Sequence, residues 1–535
     1  MSLFGGLYVG TSGLQTSQNA LNTVAHNMVN AETEGYTRQQ VAQTTRTYNT
    51  ISKTGSANSY QQIGLGVSYA EVRQVRDFFL DKSYRKESAR QGFYDVSCDA
   101  IEEVEEVFQE LDGEAFANTL NNLWVAVEEL DKDPSNTVNQ SVFIQRCDEF
   151  MVRADAVFKN LCDYQDDLNY GVKQKVDRMN EIGQRIVKLN EDILKIESNE
   201  QEHANDLRDE RNALIDELSE FAPISVKTDA DGNEIIQVEG VDFVTVGEAK
   251  TIDVYIDPIT GFYTPVWKQL ARYDSEGNVM EDSVKGARVC DLNREIATEL
   301  NTDMGSLKST LYARGDRRAN YEDLDPAVYK DIKDSVVMNV MAEFDQLVHD
   351  VAEGVNKVFK DARDAAVAIS GPTTTYMLDP STGEAYKIFE MTDPAGGYTT
   401  NNMHINESLK QAPSLLGFIR DDGIVDQYCA DALKKVFTEE THLLNPEVKT
   451  TTNIVNYYNN LISQVSNTGY IMRGISANQE ITVTNIREAR EEVVGVSTDE
   501  ELSNMIMFQN AFNASSRYIN VMSEMIEHLI STLGS

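Results

Sequence analysis

Six histidines, five cysteines and 87 acidic residues give this chain many candidate ligands and nucleophiles. Few of them stand at a spacing that chemistry requires. Gln201-Glu202-His203-Ala204 sets a carboxylate beside an imidazole, but it is not the H-E-x-x-H of a zinc site, and it reads as a solvated helix face. Asp229-Ala230-Asp231-Gly232-Asn233-Glu234 begins like a calcium loop. Glu234 then stands where such a loop needs glycine, and Gly240 stands where it needs a bidentate Glu, so a hairpin turn is expected instead. Gly10-Thr11-Ser12-Gly13 has no Lys and follows no strand, which excludes a phosphate loop. Cys98, Cys147, Cys162, Cys290 and Cys429 are odd in number and widely spread, as buried free thiols are. The acidic run Glu102 to Glu110 reads as a solvated helix face. The sequence therefore predicts no catalytic constellation, no metal site and no cofactor.

The balance of charge narrows the partners. With 47 basic residues against 87 acidic ones the net charge is -40, which disfavours nucleic acid and anionic membrane surfaces. No stretch has the length of a membrane span, and no ordinary signal peptide is recognisable at the N-terminus. Yet Met1 to Ala31 contain no Asp, Glu, Lys or Arg, in a chain that is 25% charged. Such a segment calls for elements that do not face bulk water.

Both ends supply them. Leu7, Leu14, Leu21 and Met28 recur every seven residues, with Val24 between the last two. Near the C-terminus Met505, Phe508, Phe512, Ile519, Met522, Ile526 and Leu529 follow steps of three, four and seven, and Arg517 is the only charge from Asn504 to Ser523. Each pattern is an apolar stripe on a helix with neutral polar residues elsewhere, which suits packing against other chains or a frayed polar tail. Between the ends, helices are expected over Ala100 to Leu130, Val138 to Asp167, a heptad seam from Val172 to Ile196 ending at Ser198-Asn199, and Ala204 to Phe221, the last forming an antiparallel hairpin. Ser225 to Val284 alternates with period two around Asp231-Gly232, Asp257 to Gly261 and Glu276 to Asn278, and reads as β-rich. Helices are expected again at Asp291 to Arg314 and Val328 to Lys360, a second β-like patch at Thr373 to Asp393 around an Asp379 to Gly383 turn, and mainly helix from Asp426. The fold class is mainly α with inserted β modules.

The N-terminal residues also carry a resemblance. Ser12-Gly13-Leu14, Ala20-Leu21 and His26-Asn27-Met28-Val29-Asn30, then Thr33, Gly35 and Tyr36, resemble the S-G-L, A-L and N-N-I-A-N-x-x-T-x-G-Y blocks of the axial proteins of the bacterial flagellum. Further blocks resemble the hook-associated, hook–filament junction branch: Tyr36-Thr37-Arg38-Gln39; Gly64 to Val67 with Val72, Arg76-Asp77 and Phe79-Leu80; Leu123-Trp124 with Asp133-Pro134; Asn205 to Arg211 as N-D-L-x-D-x-R; and Gly495 to Leu502 leading to Gln509, Phe512, Ala514 and Arg517, with Asp499 and Glu500 inside that block. His26, Glu34, Phe512 and Ser497-Thr498 depart from the common residues. The β modules carry almost no family signal.

The resemblance implies an elongated, multidomain, non-enzymatic subunit that joins hook to filament. Residues 1–45 with 490–535 would form a terminal coiled-coil assembly domain, and 46–222, 290–360 and 425–489 a long-helix domain. Residues 223–289 would form a β-rich outer domain and 361–424 a second small β-containing module. Implied partners are further copies in a ring or helical homo-oligomer, the hook protein, the next junction protein, and an export chaperone on the C-terminal helix. The implied place is the extracellular flagellum, reached by type III export without a cleaved signal peptide. The alternatives are a rod or hook subunit, an exported enzyme on an axial scaffold, and a cytoplasmic coiled-coil scaffold.

Overall fold

The long heptad runs fold as helices, and the turn-rich stretches between them fold as short antiparallel sheets. The computed structural model describes residues 3–33, 35–46, 48–53, 60–108, 116–198, 203–292, 294–380 and 382–533. In chain order, α1 (Leu3–Val29) leads into β1 (Gln39–Thr45), β2 (Asn49–Lys53), β3 (Tyr60–Ile63) and β4 (Val67–Gln74). Helices α2 (Phe78–Phe108), α3 (Phe116–Lys132), α4 (Thr137–Glu197) and α5 (Asn205–Phe221) follow. Strands β5 (Ile224–Thr228), β6 (Glu234–Val238), β7 (Val241–Thr245), β8 (Glu248–Ala249), β9 (Ile252–Ile256) and β10 (Tyr263–Trp267) come next. The chain continues through α6 (Glu281–Ala287), α7 (Ser306–Arg314), α8 (Val336–Ser370), β11 (Phe389–Met391), β12 (Met403–Ile405), α9 (Glu407–Gln411), α10 (Gln427–Thr438), α11 (Ile454–Val494) and α12 (Thr498–Leu533).

Two units emerge. Met1–Gln91, Asp177–Ile252 and Gln479–Ser535 make the first, and Gly92–Val176 with Asp253–Asn478 make the second. The stretch 223–289 is thus divided near Ile252. In the first unit β1 pairs with β4, β2 with β3, and β5 to β8 form a four-stranded antiparallel sheet in sequence order. α5 runs back along the end of α4: Arg178 reaches Glu217 (2.7 Å), Arg185 reaches Glu210 (2.5 Å) and Arg208 reaches Glu197 (2.5 Å).

The second unit is built around α8. Val337, Met341, Phe344, Val348, Val351 and Val355, at helical spacing, are all buried in one hydrophobic cluster with Phe108, Leu123, Phe150 and Tyr457. Phe116 lies 5.0 Å from Phe344 and 5.1 Å from Tyr458, ring centre to ring centre. One carboxylate sits inside this cluster's polar seam. Buried Glu343 accepts hydrogen bonds from the side-chain amides of Asn445 (2.7 Å), Gln464 (2.9 Å) and Asn339 (3.2 Å).

Several elements differ from the sequence expectation. The two helices expected at Val138 to Asp167 and Val172 to Ile196 are one 61-residue helix. Gly171 has open space around it and no proline intervenes, so the buried row Val172, Val176, Met179, Ile186, Leu189 and Ile193 simply continues. The described residues of Asp291 to Gly305, all but Asn293, form no helix: Asn301 (φ 51°) and Gly305 (φ 93°) are left-handed, and helix begins only at Ser306. The helix expected from Val328 starts at Val336, where the Ser335 side chain accepts from the Met338 amide, and runs past Lys360 to Ser370. Among its described residues the β-like patch Thr373 to Asp393 holds only β11, besides a bridge from Leu378 to Ala385. Residues 49–74, grouped by sequence with the long helices, contain β2, β3 and β4. Within Ala100 to Leu130, residues 109–115 lie outside the described residues, and with them the end of the acidic run at Glu110; so do Asn199, Gln201, Glu202 and Ser381.

Burial raises the Glu343 pKa from 4.5 to about 7, against the lowering effect of its amide donors. A group raised in the folded state contributes stability that is full below its unfolded value and is lost as pH rises through the folded one. Glu343→Gln is therefore expected to match the wild type near pH 4 and to exceed it near pH 8, by roughly 3 kcal/mol at most. Thermal unfolding of both proteins across that interval is the check, and parallel curves would refute it.

Candidate assembly site

Helices α1 and α12 lie side by side, and glycine makes their approach close. A Cβ added at Gly6 would stand 2.5 Å from Met522 Cε, at Gly10 2.7 Å from Ile519 Cγ1, and at Gly13 2.8 Å from Ser515 Oγ. The three glycines follow steps of four and three, so they share one face of α1. Ser12, Thr16, Ser17, Ala20, Thr23, Val24 and Asn27 are also buried on α1. Three of these hydroxyls are satisfied along the helix itself: Ser12 donates to Val9 O, Thr16 to Ser12 O and Thr23 to Asn19 O. Leu7, Leu14, Leu21 and Met28 are half-buried. On α12, Met505, Phe508, Phe512, Ile519, Met522 and Ile526 are half-buried, while Leu529, Gln509, Arg517 and Asp499 are exposed.

Beyond α1 the chain turns at Gly35, whose φ of 77° is left-handed. Asn30 holds the turn, donating to His26 O (3.0 Å) and accepting from Thr33 Oγ1 (3.3 Å). Glu34 lies outside the described residues. The returning segment is then fixed by Asn27, which is 1% exposed. Its Oδ1 accepts from Tyr36 OH (2.7 Å) and the Gln39 amide (3.0 Å), and its Nδ2 donates to Gln39 O (2.9 Å). Burial, then the charges of Asp209, Asp206 and Glu501, push the Tyr36 pKa up, so its hydroxyl keeps the proton it donates.

Arg38 joins this turn to the far end of the chain. Its Nε donates to Glu501 (2.9 Å), its Nη1 pairs with Glu500 (2.9 Å), and its amide donates to Val494 O (2.9 Å). Glu501 is 2% exposed. These acids occupy the first turn of α12, where the helix dipole favours them. Just before it, Gly495 ends α11; a Cβ there would stand 2.4 Å from Glu491 O, a backbone atom.

The N-D-L-x-D-x-R block of α5 completes the arrangement. Asp209 accepts from the Thr37 amide (3.1 Å) and from Gln74 Nε2 (2.7 Å), and Asn205 donates to Val72 O (3.3 Å). Burial raises the Asp209 pKa despite the Thr37 hydrogen bonds. Arg211 donates to Asn190 Oδ1 (2.7 Å) and to Gly232 O (3.1 Å), and burial brings its pKa down to about 10. Arg490 bridges Asp81 (2.8 Å) and Asp216 (2.6 Å), and Arg85 also reaches Asp216 (2.7 Å).

The structure thus gathers Asn27, Gly35, Tyr36, Arg38, Gln39 and Glu500 into one knot, with Asn30 at its edge. Sequence reasoning missed Glu501, Asp209 as the Thr37 acceptor, and the glycine face of α1. The glycine steps were visible, but an apolar-stripe reading gives glycine no weight. Elsewhere, Asp229 Oδ1 already accepts the Asp231 (2.9 Å) and Asn233 (2.8 Å) amides, so the calcium-like loop is a self-satisfied hairpin turn. His203 lies against Glu71 (3.2 Å). All five cysteines are buried, and burial raises the thiol pKa at Cys98, Cys147, Cys162 and Cys429. Among the described residues no group of three or more His, Cys, Asp or Glu could hold a metal, and no helix is long and apolar enough to cross a membrane.

Known proteins share this layout. A family model described as the flagellar hook-associated protein FlgK helical domain matches residues 101–371. Models of the flagellar basal body rod FlgEFG protein C-terminal region and of the flagella basal body rod protein match residues 488–532 and 7–37. Flagellar hook-associated protein 1 of Bacillus subtilis is 25% identical over 536 residues, covering 100% of this chain and 99% of its own. Its Escherichia coli namesake is 20% identical, covering 97% and 98%. The flagellar hook junction protein FlgK from Burkholderia pseudomallei superimposes with a TM-score of 0.54 at 11% identity, covering 78% of this chain and 100% of that one, a likeness of fold.

Two predictions test the knot and the glycine face. Asn27→Ala should destabilise by about 1–3 kcal/mol and speed hydrogen exchange of the Gln39 amide, since a buried donor and acceptor lose their partner. Gly5 has open space, so Gly5→Ala should stabilise α1 by ~0.5–1 kcal/mol. Gly10→Val should do the reverse by prying α1 off Ile519. Equal effects of the two glycine changes on thermal unfolding would disprove the close approach.

Proposed function

The chain belongs to the flagellar hook-associated protein FlgK family, and on that premise we propose that it joins hook to filament by assembling at the hook tip through α1 and α12. It is a structural subunit of the flagellar hook–filament junction. The observation that carries the assembly reading is the Arg38–Glu501 tie, because it clamps the two terminal helices into one unit with a largely uncharged outer surface. Leu502, Ile506, Met507, Val521 and Met525 on α12 are exposed. Covering them with neighbouring copies supports templated addition at the tip, the apolar burial outweighing the ordering of the helices.

The same face suits an export chaperone that covers α12 before the subunit leaves the cell. Hook protein on one side and the next junction protein on the other complete the set of partners. The role is mechanical and non-enzymatic, and its place is the extracellular flagellum.

Deleting the gene and viewing the cells by electron microscopy tests this. Hooks without filaments, with free flagellin in the medium, are expected. Missing hooks would shift the assignment to a rod or hook subunit, and intact filaments would refute the junction role.

A further inference from the structure

Two phenylalanines stand in water at the start of α2. Phe78 is 76% exposed and Phe79 is 74% exposed, and neither belongs to a core. Successive helix positions diverge by about 100°, so the two rings form a broad wedge instead of a ridge.

The backbone beneath them is held firmly. Asp77 Oδ1 accepts the Phe79 amide (2.8 Å) and the Leu80 amide (3.3 Å), capping the helix. Arg76 grips Asp81 with two hydrogen bonds (3.1 and 3.0 Å), and Arg490 reaches the same carboxylate (2.8 Å). Burial works to raise the Asp81 pKa, but the Arg76 hydrogen bond and the Arg76, Arg490 and Arg85 charges outweigh it and hold it low. A rigid base under exposed aromatic rings is how anchor residues of protein interfaces are presented.

We propose that Phe78 and Phe79 anchor a contact with a second copy of this chain, seated on the outward face of its α12 beyond the acidic first turn, at Ile506 and Met507. The inference rests on the junction role. Charge selects the occupant. Two chains of net charge -40 repel wherever acidic surfaces meet, so a contact between copies has to run over uncharged ground. The exposed face of α12 beyond that turn provides it: Ile506 and Met507 are each 53% exposed, and Arg517 is the only charge from Asn504 to Ser523. Methionine adapts its shape to aromatic rings and its sulfur contacts them favourably. Anchor and receiving face are different surfaces of the same chain, so the contact is head to tail and repeats into a closed ring or a helix.

The test uses whole cells lacking the gene and supplied with it on a plasmid. In one arm Phe79 is replaced by the photo-reactive p-benzoylphenylalanine and isolated flagella are irradiated. A product of twice the chain mass, with the link mapped to residues 498–533, is expected. In the other arm Phe78→Ser/Phe79→Ser should be exported at the normal level and unfold at the wild-type temperature, while filaments per cell fall about tenfold. A link to a different protein, no link, or filaments at the wild-type number would overturn the proposal. Failure of the wild-type plasmid to restore filaments would instead remove the junction role, and this inference with it.

Discussion

The first arginine of the chain, Arg38, meets the first turn of its last helix, and the terminal arrangement hangs on that meeting. Glu501 is buried, and a buried carboxylate is tolerated only with a partner. Arg38 supplies the charge, and the backbone of the same residue donates to Val494 and accepts from Val75. One residue therefore fixes the end of α11, the start of α12, and the strand segment leading from α1. Asn27, Tyr36 and Asp209 hold that segment in place from the other sides, which sets where α1 must lie. The glycine face of α1 then decides how near α12 can come.

The two units are held together internally by different means. The second rests on a large apolar cluster around α8, with Glu343 embedded in amides. The first relies on arginines placed where elements cross: Arg38, Arg85, Arg208, Arg211 and Arg490 each take carboxylate or amide oxygens from another part of the chain. In so acidic a protein these cations are scarce, and they are spent inside, at intersections. On α12, Arg517 is the only charge from Asn504 to Ser523.

What could be read from the sequence followed from periodicity and from short motifs. The α8 row from Val337 to Val355 announces its buried face at helical spacing, and Asp133-Pro134 does separate α3 from α4. The hook-associated resemblance also rested on residues that turn out to touch, such as Asn27, Tyr36 and Gln39. Other features depend on what lies across the fold. Whether Asp163 to Asp167 interrupts a helix is settled by the apolar row continuing beyond it, and Asn301 or Gly305 stops one only through a left-handed backbone. Glu501 looks like any acid in a first turn until Arg38 is seen beside it. Gly6, Gly10 and Gly13 look like weak helix formers until Ile519 and Met522 fill the space above them.

The first unit is drawn from three separate lengths of chain, and the Arg38–Glu501 tie spans 463 positions of sequence. Contacts between such distant residues close late, because the loop they shut is long and the second partner is made last. The second unit has all its residues by Asn478, before any of Gln479–Ser535 has been synthesised. Time of completion thus separates the two: the body of the molecule is complete in sequence while α1 still waits for α12. Through that interval the uncharged N-terminal helix has only β1, β4 and the turn after it to pack on, and the last few dozen residues act as the closing piece of a structure begun with the first.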